Sequence, residues 1–269
     1  MSPAPLSFRS FQNDSPVSDP EATLLALATP FQSKEPPLGL YVAAVDALVH
    51  WQTHTNADAC VPLDSVAVLG ALHDFGHWYL GIYRQGALDA PAQNVINTAM
   101  TTLAAQCLSR PQVPVHQSWA PGQLLPHGTG FEIVSPASGI IGPVTYDIAT
   151  LVRDAKLVWE EPFVLEVTIR YWERARKAGL PVGPDFGDFY RGMEWAAVLQ
   201  HLTQLGHLAR RAGTCDTPED AMTEQADAPV LFQYIRATCS RYIELKPFLR
   251  LIERIEGVES AGGYAFGRM

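Results

Sequence analysis

Lysine and glycine are scarce in the first part of this chain. Lys34 is the one lysine before residue 150, and no glycine precedes Gly39. Many nucleotide sites combine a glycine-rich loop, whose backbone covers the phosphates, with a lysine that pairs with them. We therefore expect no conventional phosphate-covering loop near the start of the chain.

Positive charge and cysteine are also limited. The chain of 269 residues carries a formal net charge of -9, and its four cysteines form no CxxC pair. An acidic balance disfavours nucleic acid and anionic membranes as partners, and the cysteine spacing predicts neither a zinc site nor a redox motif. No apolar run is long enough to span a bilayer, and the N-terminus lacks the pattern of a signal peptide. These features together predict a globular, cytoplasmic protein with reduced thiols.

Apolar residues recur at helical spacing along most of the chain after residue 39. This pattern predicts helices over 41–52, 66–84, 91–109, 148–159, 162–178, 189–213, 229–242 and 246–256. Two short strands are predicted around 123–125 and 131–134, with a turn between them, and 217–227 is predicted to be an acidic connection. The expected fold class is therefore α+β and mainly α, with a small β-hairpin.

The sequence GPVTYD at 142–147, followed by a helical stretch that ends in Arg153 and Asp154, resembles the aminoglycoside phosphotransferase family. The likeness is strongest to the members that phosphorylate cell-wall amino sugars, and it extends from about residue 39 to 256. It implies a protein-kinase-like C-lobe over 39–258. It also implies a reduced, irregular N-terminal segment over 1–38 in place of the family's N-lobe, and a flexible tail over 259–269.

The resemblance also places residues of this chain on the family's catalytic positions. His116 falls on the first histidine of the catalytic loop, Ser118 on the catalytic aspartate, and Gln123 on the magnesium-binding asparagine. Ser135 falls on the aspartate that is the second metal ligand, and Ser138 falls on the next aspartate. A neutral serine supplies neither a general base nor a charged magnesium ligand. None of the family's catalytic acids is therefore expected to be intact.

Four further positions take their expected roles from the same resemblance. Asp147 matches an aspartate that anchors the catalytic loop through backbone hydrogen bonds, so we expect a structural role for it. Glu194, Trp195 and His201 agree with positions on the family's long C-lobe helix. These three residues are candidates for the substrate cleft.

The serines and the short N-terminus favour a catalytically inactive member of the family, a pseudokinase. Such a protein would bind a protein partner, or form a homodimer, through the surface left by the reduced N-lobe, or bind a small sugar-like ligand. It would need no cofactor. The alternative is an active phosphotransferase for a sugar or amino sugar, which would need ATP and magnesium and displaced acids such as Glu132 or Asp147. A degenerate gene product without a selected function is the third interpretation, and it predicts poor solubility.

Two histidine patterns each have a functional and a structural interpretation. His73 and His77 stand at i and i+4, a spacing that can bind a metal, but no third ligand is evident and an ordinary core helix is favoured. His116 and Ser118 would point the same way in an extended segment, as a base and a nucleophile. Because the chain has no GxSxG motif, a bracing role for His116 is favoured over hydrolase chemistry.

Overall fold

A computed structural model describes residue 23 and residues 36–86, 88–127, 130–133 and 139–258. These residues form mainly helices, with two small sheets, so the predicted α+β, mainly helical class is confirmed. The α-helices are α1 (Leu38–His54), α2 (Ser65–Asp74), α3 (Ala90–Leu108), α4 (Tyr146–Val152), α5 (Glu161–Lys177), α6 (Phe186–Ala212), α7 (Pro218–Glu224), α8 (Ala228–Arg241) and α9 (Lys246–Glu256). A π-helix spans Phe75–Tyr83, and 3-10 turns span Ala57–Ala59, Pro121–Gln123 and Ile243–Leu245.

The strands form one mixed sheet and one hairpin. They are β1 (Val61–Pro62), β2 (Gln112–Val115), β3 (Leu124–His127), β4 (Gly130–Ile133) and β5 (Ile140–Pro143). β5 lies in the middle of the mixed sheet, parallel to β1 and antiparallel to β2, with Ile140 opposite both Val61 and Val115. β3 and β4 form the predicted hairpin. The mixed sheet was not predicted, because its strands have two to four residues and pair with distant parts of the chain.

The chain divides into two compact units, each built from separate stretches of sequence. The first unit comprises Met1–Leu63 and Cys107–Ala197, and the second comprises Asp64–Gln106 and Val198–Met269. The predicted segments 1–38 and 259–269 lie almost entirely outside the described residues, so both stay predictions. Within the described ranges, no helix is long and apolar enough to cross a membrane.

Aromatic residues dominate the core of the first unit. Tyr41 of α1 contacts the rings of Trp159 and Phe163 edge-on, and the Trp159 indole N–H donates a hydrogen bond of 2.6 Å to the Tyr41 hydroxyl. The buried Tyr171 hydroxyl of α5 donates to Gln52 of α1 and lies 3.1 Å from the Val144 carbonyl oxygen. These bonds fix α1 and α5 against the segment that carries the candidate site.

The second unit contains the π-helix and a close contact at a glycine. The predicted helix over 66–84 is present, but its second half has π register: the Arg84 N–H donates to the Tyr79 carbonyl oxygen, five residues back, at 2.9 Å. Gly206 of α6 packs directly on the start of this π-helix. A Cβ atom at Gly206 would lie 2.5 Å from the Phe75 backbone nitrogen.

Two predicted elements differ from the structure. The helix predicted over 148–159 ends at Val152, because the backbone leaves helical geometry at Arg153 and turns at Asp154, whose carboxylate accepts a hydrogen bond from the Lys156 N–H. The stretch 217–227 is not simply a connection but contains α7. Thr217 caps that helix by accepting a hydrogen bond from the Asp220 N–H.

Candidate active site

The candidate site is a loop of the first unit that joins β2 to β3. It begins after Val115 and ends in the 3-10 turn Pro121–Gln123. Gln117 has a φ of 70°, in the left-handed region that non-glycine residues rarely occupy. Such a conformation costs on the order of 1 kcal/mol and persists only where surrounding contacts impose it. The contacts that impose it here come from Asp147.

Asp147, in the first turn of α4, holds this loop with both carboxylate oxygens. One oxygen accepts the His116 N–H at 2.8 Å and the other accepts the Gln117 N–H at 3.0 Å. The side chain is fully buried. Burial raises the pKa of Asp147 to about 7, although the two backbone hydrogen bonds act in the opposite direction. The anchoring role expected for Asp147 stays a prediction, with which these two hydrogen bonds and the full burial are consistent.

His116 is enclosed between two indoles. Its ring lies edge-on to Trp51 at 5.2 Å and to Trp119 at 5.7 Å, measured between ring centroids. Burial lowers its pKa to about 4, so the imidazole is neutral near pH 7. Within the described part of the chain, its Nδ1 atom has no hydrogen-bond partner. The bracing role favoured for His116 stays a prediction, with which its burial and ring contacts are consistent.

Ser118 and Gln123 are half-buried polar residues of the loop. The Gln123 backbone N–H donates to the Ala120 carbonyl oxygen at 2.8 Å, which fixes the turn that carries its side chain. Ser135 and Ser138 lie outside the described residues, as does the side chain of Glu132. The described loop therefore offers a hydroxyl and an amide, both neutral.

Magnesium fits these residues only as weak, neutral ligands. In the described ranges, no group of three or more His, Cys, Asp or Glu side chains is placed to hold a metal ion. Magnesium commonly keeps several waters and takes much of its coordination from substrate phosphates, so a hydroxyl and an amide oxygen are compatible with it. They cannot form a site that binds the metal alone.

The three cleft candidates all lie on α6 and are buried. Glu194 and Trp195 belong to the first unit, and the Arg191 guanidinium lies over the Trp195 ring at 5.5 Å. His201 belongs to the second unit, where its ring stacks on Tyr234 at a centroid distance of 5.1 Å. Their assignment to a substrate cleft stays a prediction.

The two shifted pKa values of the site predict opposite effects of pH on stability. Unfolded Asp147 loses its proton near pH 4 and the folded form near pH 7, so rising pH favours unfolding in that interval. His116 gains a proton below about pH 6.5 when unfolded but only near pH 4 when folded, so falling pH favours unfolding there. The two slopes, each up to about 1.4 kcal/mol per pH unit, largely cancel in the wild type.

Single variants should separate these effects. In urea unfolding between pH 4.5 and 7, we expect the free energy of unfolding of Asp147→Asn to rise with pH. For His116→Asn we expect it to fall as pH rises. If the free energy of unfolding depends on pH in the same way in both variants, the pKa shifts of Asp147 and His116 do not exist.

Comparison with known proteins gave relatives of one kind. No protein-family model matches the chain. A protein of Neisseria meningitidis named N-acetylmuramate/N-acetylglucosamine kinase is 31% identical over 231 residues, which cover 84% of this chain and 67% of the relative. Proteins of the same name from Pseudomonas aeruginosa and Pseudomonas putida are 29% and 30% identical, over 82% and 81% of this chain. The chain spans only about two thirds of the length of these curated relatives, 64% and 63% of the two Pseudomonas proteins.

These relatives correct the main functional prediction. A catalytically inactive pseudokinase was expected from Ser118, Gln123, Ser135 and the short N-terminus, but all three relatives are named as kinases. That prediction is therefore wrong, and the comparisons favour the alternative of an active sugar kinase. The error came from inferring inactivity from residue types at a few positions.

Proposed function

Because this chain belongs to the family of N-acetylmuramate/N-acetylglucosamine kinases, we propose that it is an ATP-dependent phosphotransferase that acts on an amino sugar. The observation that carries the proposal is the extent of the match to the Neisseria relative. A continuous match over 84% of the chain cannot avoid residues 115–147, wherever it begins. The loop and Asp147 therefore fall within the related region. A cytoplasmic location would suit such a kinase.

We place the loop in the role of a catalytic loop and the fold among the aminoglycoside phosphotransferases, with a kinase-like C-lobe. The support is the anchoring of the loop: both oxygens of Asp147 hold its backbone, and His116 braces it from the core. Phosphoryl transfer requires little covalent chemistry from the protein, and catalysis depends mainly on positioning and electrostatics. A loop whose backbone is held in place in this way supports the positioning that phosphoryl transfer requires.

Ser118 and Gln123 take the positions of the base and the metal ligand in this proposal. The Ser118 hydroxyl would accept a hydrogen bond from the attacking hydroxyl of the sugar and orient it. Gln123 would face the magnesium-bound phosphates through its amide oxygen. Magnesium, when bound with ATP, would neutralise charge on the phosphates. Because a hydroxyl is a far weaker base than a carboxylate, turnover is expected to be slow. Glu194 and Trp195 would lie on the acceptor side.

The proposal is tested by incubating the full chain with magnesium, ATP and either N-acetylmuramate or N-acetylglucosamine. Phosphorus NMR should show a sugar phosphate and ADP accumulating in equal amounts, and Ser118→Ala should slow both. Glucose, which has no acetamido group, serves as the comparison acceptor. Release of ADP without a sugar phosphate, or no turnover of either amino sugar, would refute the proposed activity.

Restoring a carboxylate at the base position should increase the rate. We expect Ser118→Asp to phosphorylate the amino sugar about a hundredfold faster than the wild type, because a positioned base contributes roughly 10²–10⁴ to a rate. Initial rates of ADP release give the comparison. Ser240→Asp, at an exposed position of α8, adds the same charge away from the loop and should leave the rate unchanged. Equal rates for both variants would exclude Ser118 from the base position.

A further inference from the structure

The second unit contains a cavity that the proposed kinase activity does not use. Its volume is about 620 Å³, within the usual range for small-molecule sites. Residues of α2, the π-helix and α3 form its lining. They include the apolar side chains Ile82, Ile96 and Met100 and the polar side chains His73, His77 and Asn97. An apolar cavity with a few convergent polar groups is the arrangement that most small-molecule sites share.

The π-helix contributes much of this lining. Its backbone hydrogen bonds join residues five apart. Gly76 and Gly81 have this spacing, as do His77 and Ile82, and all four line the cavity. A Cβ atom at Gly81 would lie 3.5 Å from the Gly76 carbonyl oxygen. Two glycines leave open the space that side chains would fill, and π-helical segments are often found at functional sites.

The polar residues of the cavity offer hydrogen-bond donors and no acid. The Gln93 side-chain Nε2–H donates to the Asn97 side-chain Oδ1 at 3.0 Å, so the Asn97 Nδ2–H groups can act as donors to a ligand. The His73 and His77 rings lie parallel, with centroids 5.8 Å apart. Among the described residues that line the cavity, none is Asp, Glu, Lys or Arg. Asp74, next in sequence, pairs instead with Arg210 at 3.0 Å.

We propose that this cavity binds a small monocarboxylic acid with an apolar body, of the size of a medium-chain fatty acid. The imidazoles of His73 and His77 and the amide of Asn97 would hold the carboxylate. The apolar lining residues would cover the hydrocarbon. A sugar suits this lining poorly, because most of it is apolar and sugars need many polar partners. A metal ion is also disfavoured, because the described part of the chain provides no third ligand beside the two histidines.

The test uses decanoate and the methyl signal of Met100. In the full chain labelled with ¹³C-methyl methionine, decanoate should shift the Met100 signal in a saturable way. Met193, buried in the core of the first unit, should not respond. Decanol has the same hydrocarbon without the carboxylate and should bind at least about tenfold more weakly. His77→Ala should weaken decanoate binding by a similar factor, whereas His54→Ala, at an exposed position at the end of α1, should not.

Gly76→Ala changes the lining of the cavity without disrupting the fold. The added methyl group would lie 3.7 Å from the Met100 Cε atom and 3.8 Å from Ile96, so it fits but takes ligand space. Decanoate affinity should fall about tenfold, while the melting temperature stays the same or rises, because alanine favours helices over glycine. Gly70→Ala, whose methyl group meets nothing within 4 Å, should leave binding unchanged.

The fatty-acid assignment would be wrong if decanoate produced no saturable shift of the Met100 methyl signal, or if decanol and decanoate bound equally well. It would also be wrong if zinc alone or N-acetylmuramate shifted the Met100 signal. None of these measurements depends on phosphoryl transfer, so the fatty-acid site and the kinase activity can fail separately.

Discussion

Asp147→Ala should lower the free energy of unfolding by about 3 kcal/mol, because each backbone donor left without an acceptor in a buried site costs about 1–3 kcal/mol. The substitution removes the acceptors of the His116 and Gln117 N–H groups, which lie at 2.8 and 3.0 Å. It also releases the left-handed backbone at Gln117. Loss of this anchor should therefore reduce phosphoryl transfer as well as stability.

Urea unfolding at pH 7 gives the measurement, with Asp188→Ala as the matched control. Asp188 is 67% exposed and pairs with Arg110 at 2.6 Å. Exposed ion pairs contribute up to about 1 kcal/mol, so removal of the same carboxylate should have a small effect there. If the two variants unfold at the same urea concentration, Asp147 does not anchor the loop.

Gly206→Ala should destabilise the second unit by about 3 kcal/mol or more, which is at the upper end of overpacking effects. The new Cβ atom would lie 2.5 Å from the Phe75 backbone nitrogen and 2.7 Å from the Asp74 carbonyl carbon. Both atoms belong to a helical backbone, so they cannot rotate away as a flexible side chain could. The start of the π-helix and α6 would have to separate.

The matched control for this variant is again Gly70→Ala, in α2. The same methyl group there meets no atom, and the substitution should stabilise the protein by about 0.5–1 kcal/mol through helix propensity. Melting temperatures should move in opposite directions for the two variants. A Gly206→Ala variant as stable as the wild type would mean that these two elements can move apart without cost.

Helices with clear end signals were predictable from the sequence. α9 was predicted over 246–256 and spans Lys246–Glu256, with Pro247 in its first turn and Gly257 after its end at a φ of 68°. Proline near a helix start and a left-handed glycine after its end are strong local signals. Their effect depends on the backbone of adjacent residues alone, which explains why the bounds were correct.

Elements decided by distant contacts could not be predicted in this way. The helix pattern over 66–84 indicated an apolar helix but not its π register, because side-chain hydrophobicity does not report which carbonyl each N–H binds. Leu157 and Trp159 are buried in irregular backbone, although their apolar character resembles a continued helix. α7 was missed because no residue in it is buried, so it shows no apolar face.

The candidate site was only partly accessible to sequence reasoning. The resemblance at GPVTYD pointed to Asp147 and to the loop that carries Ser118 and Gln123, and the structure brings Asp147 and this loop into contact. The roles of Ser118 and Gln123 stay predictions. His73 and His77 were noticed as a pair, but the cavity beside them depends on α3, whose packing no local pattern reveals. The functional prediction was wrong because it rested on residue types at a few positions, while the similarity to proteins named as kinases extends over more than 80% of the chain.

The interleaving of the two units has a consequence for synthesis on the ribosome. The first unit begins with α1 but needs the segment Cys107–Ala197, and the second begins at Asp64 but needs residues from Val198 onward. Neither unit can therefore complete its contacts until most of the chain has been made. Ribosomes add roughly 5–20 residues per second, so several seconds separate the synthesis of α1 from that of α5. During that time the apolar residues of α1 lack their partners in α5, and we expect chaperones to bind them.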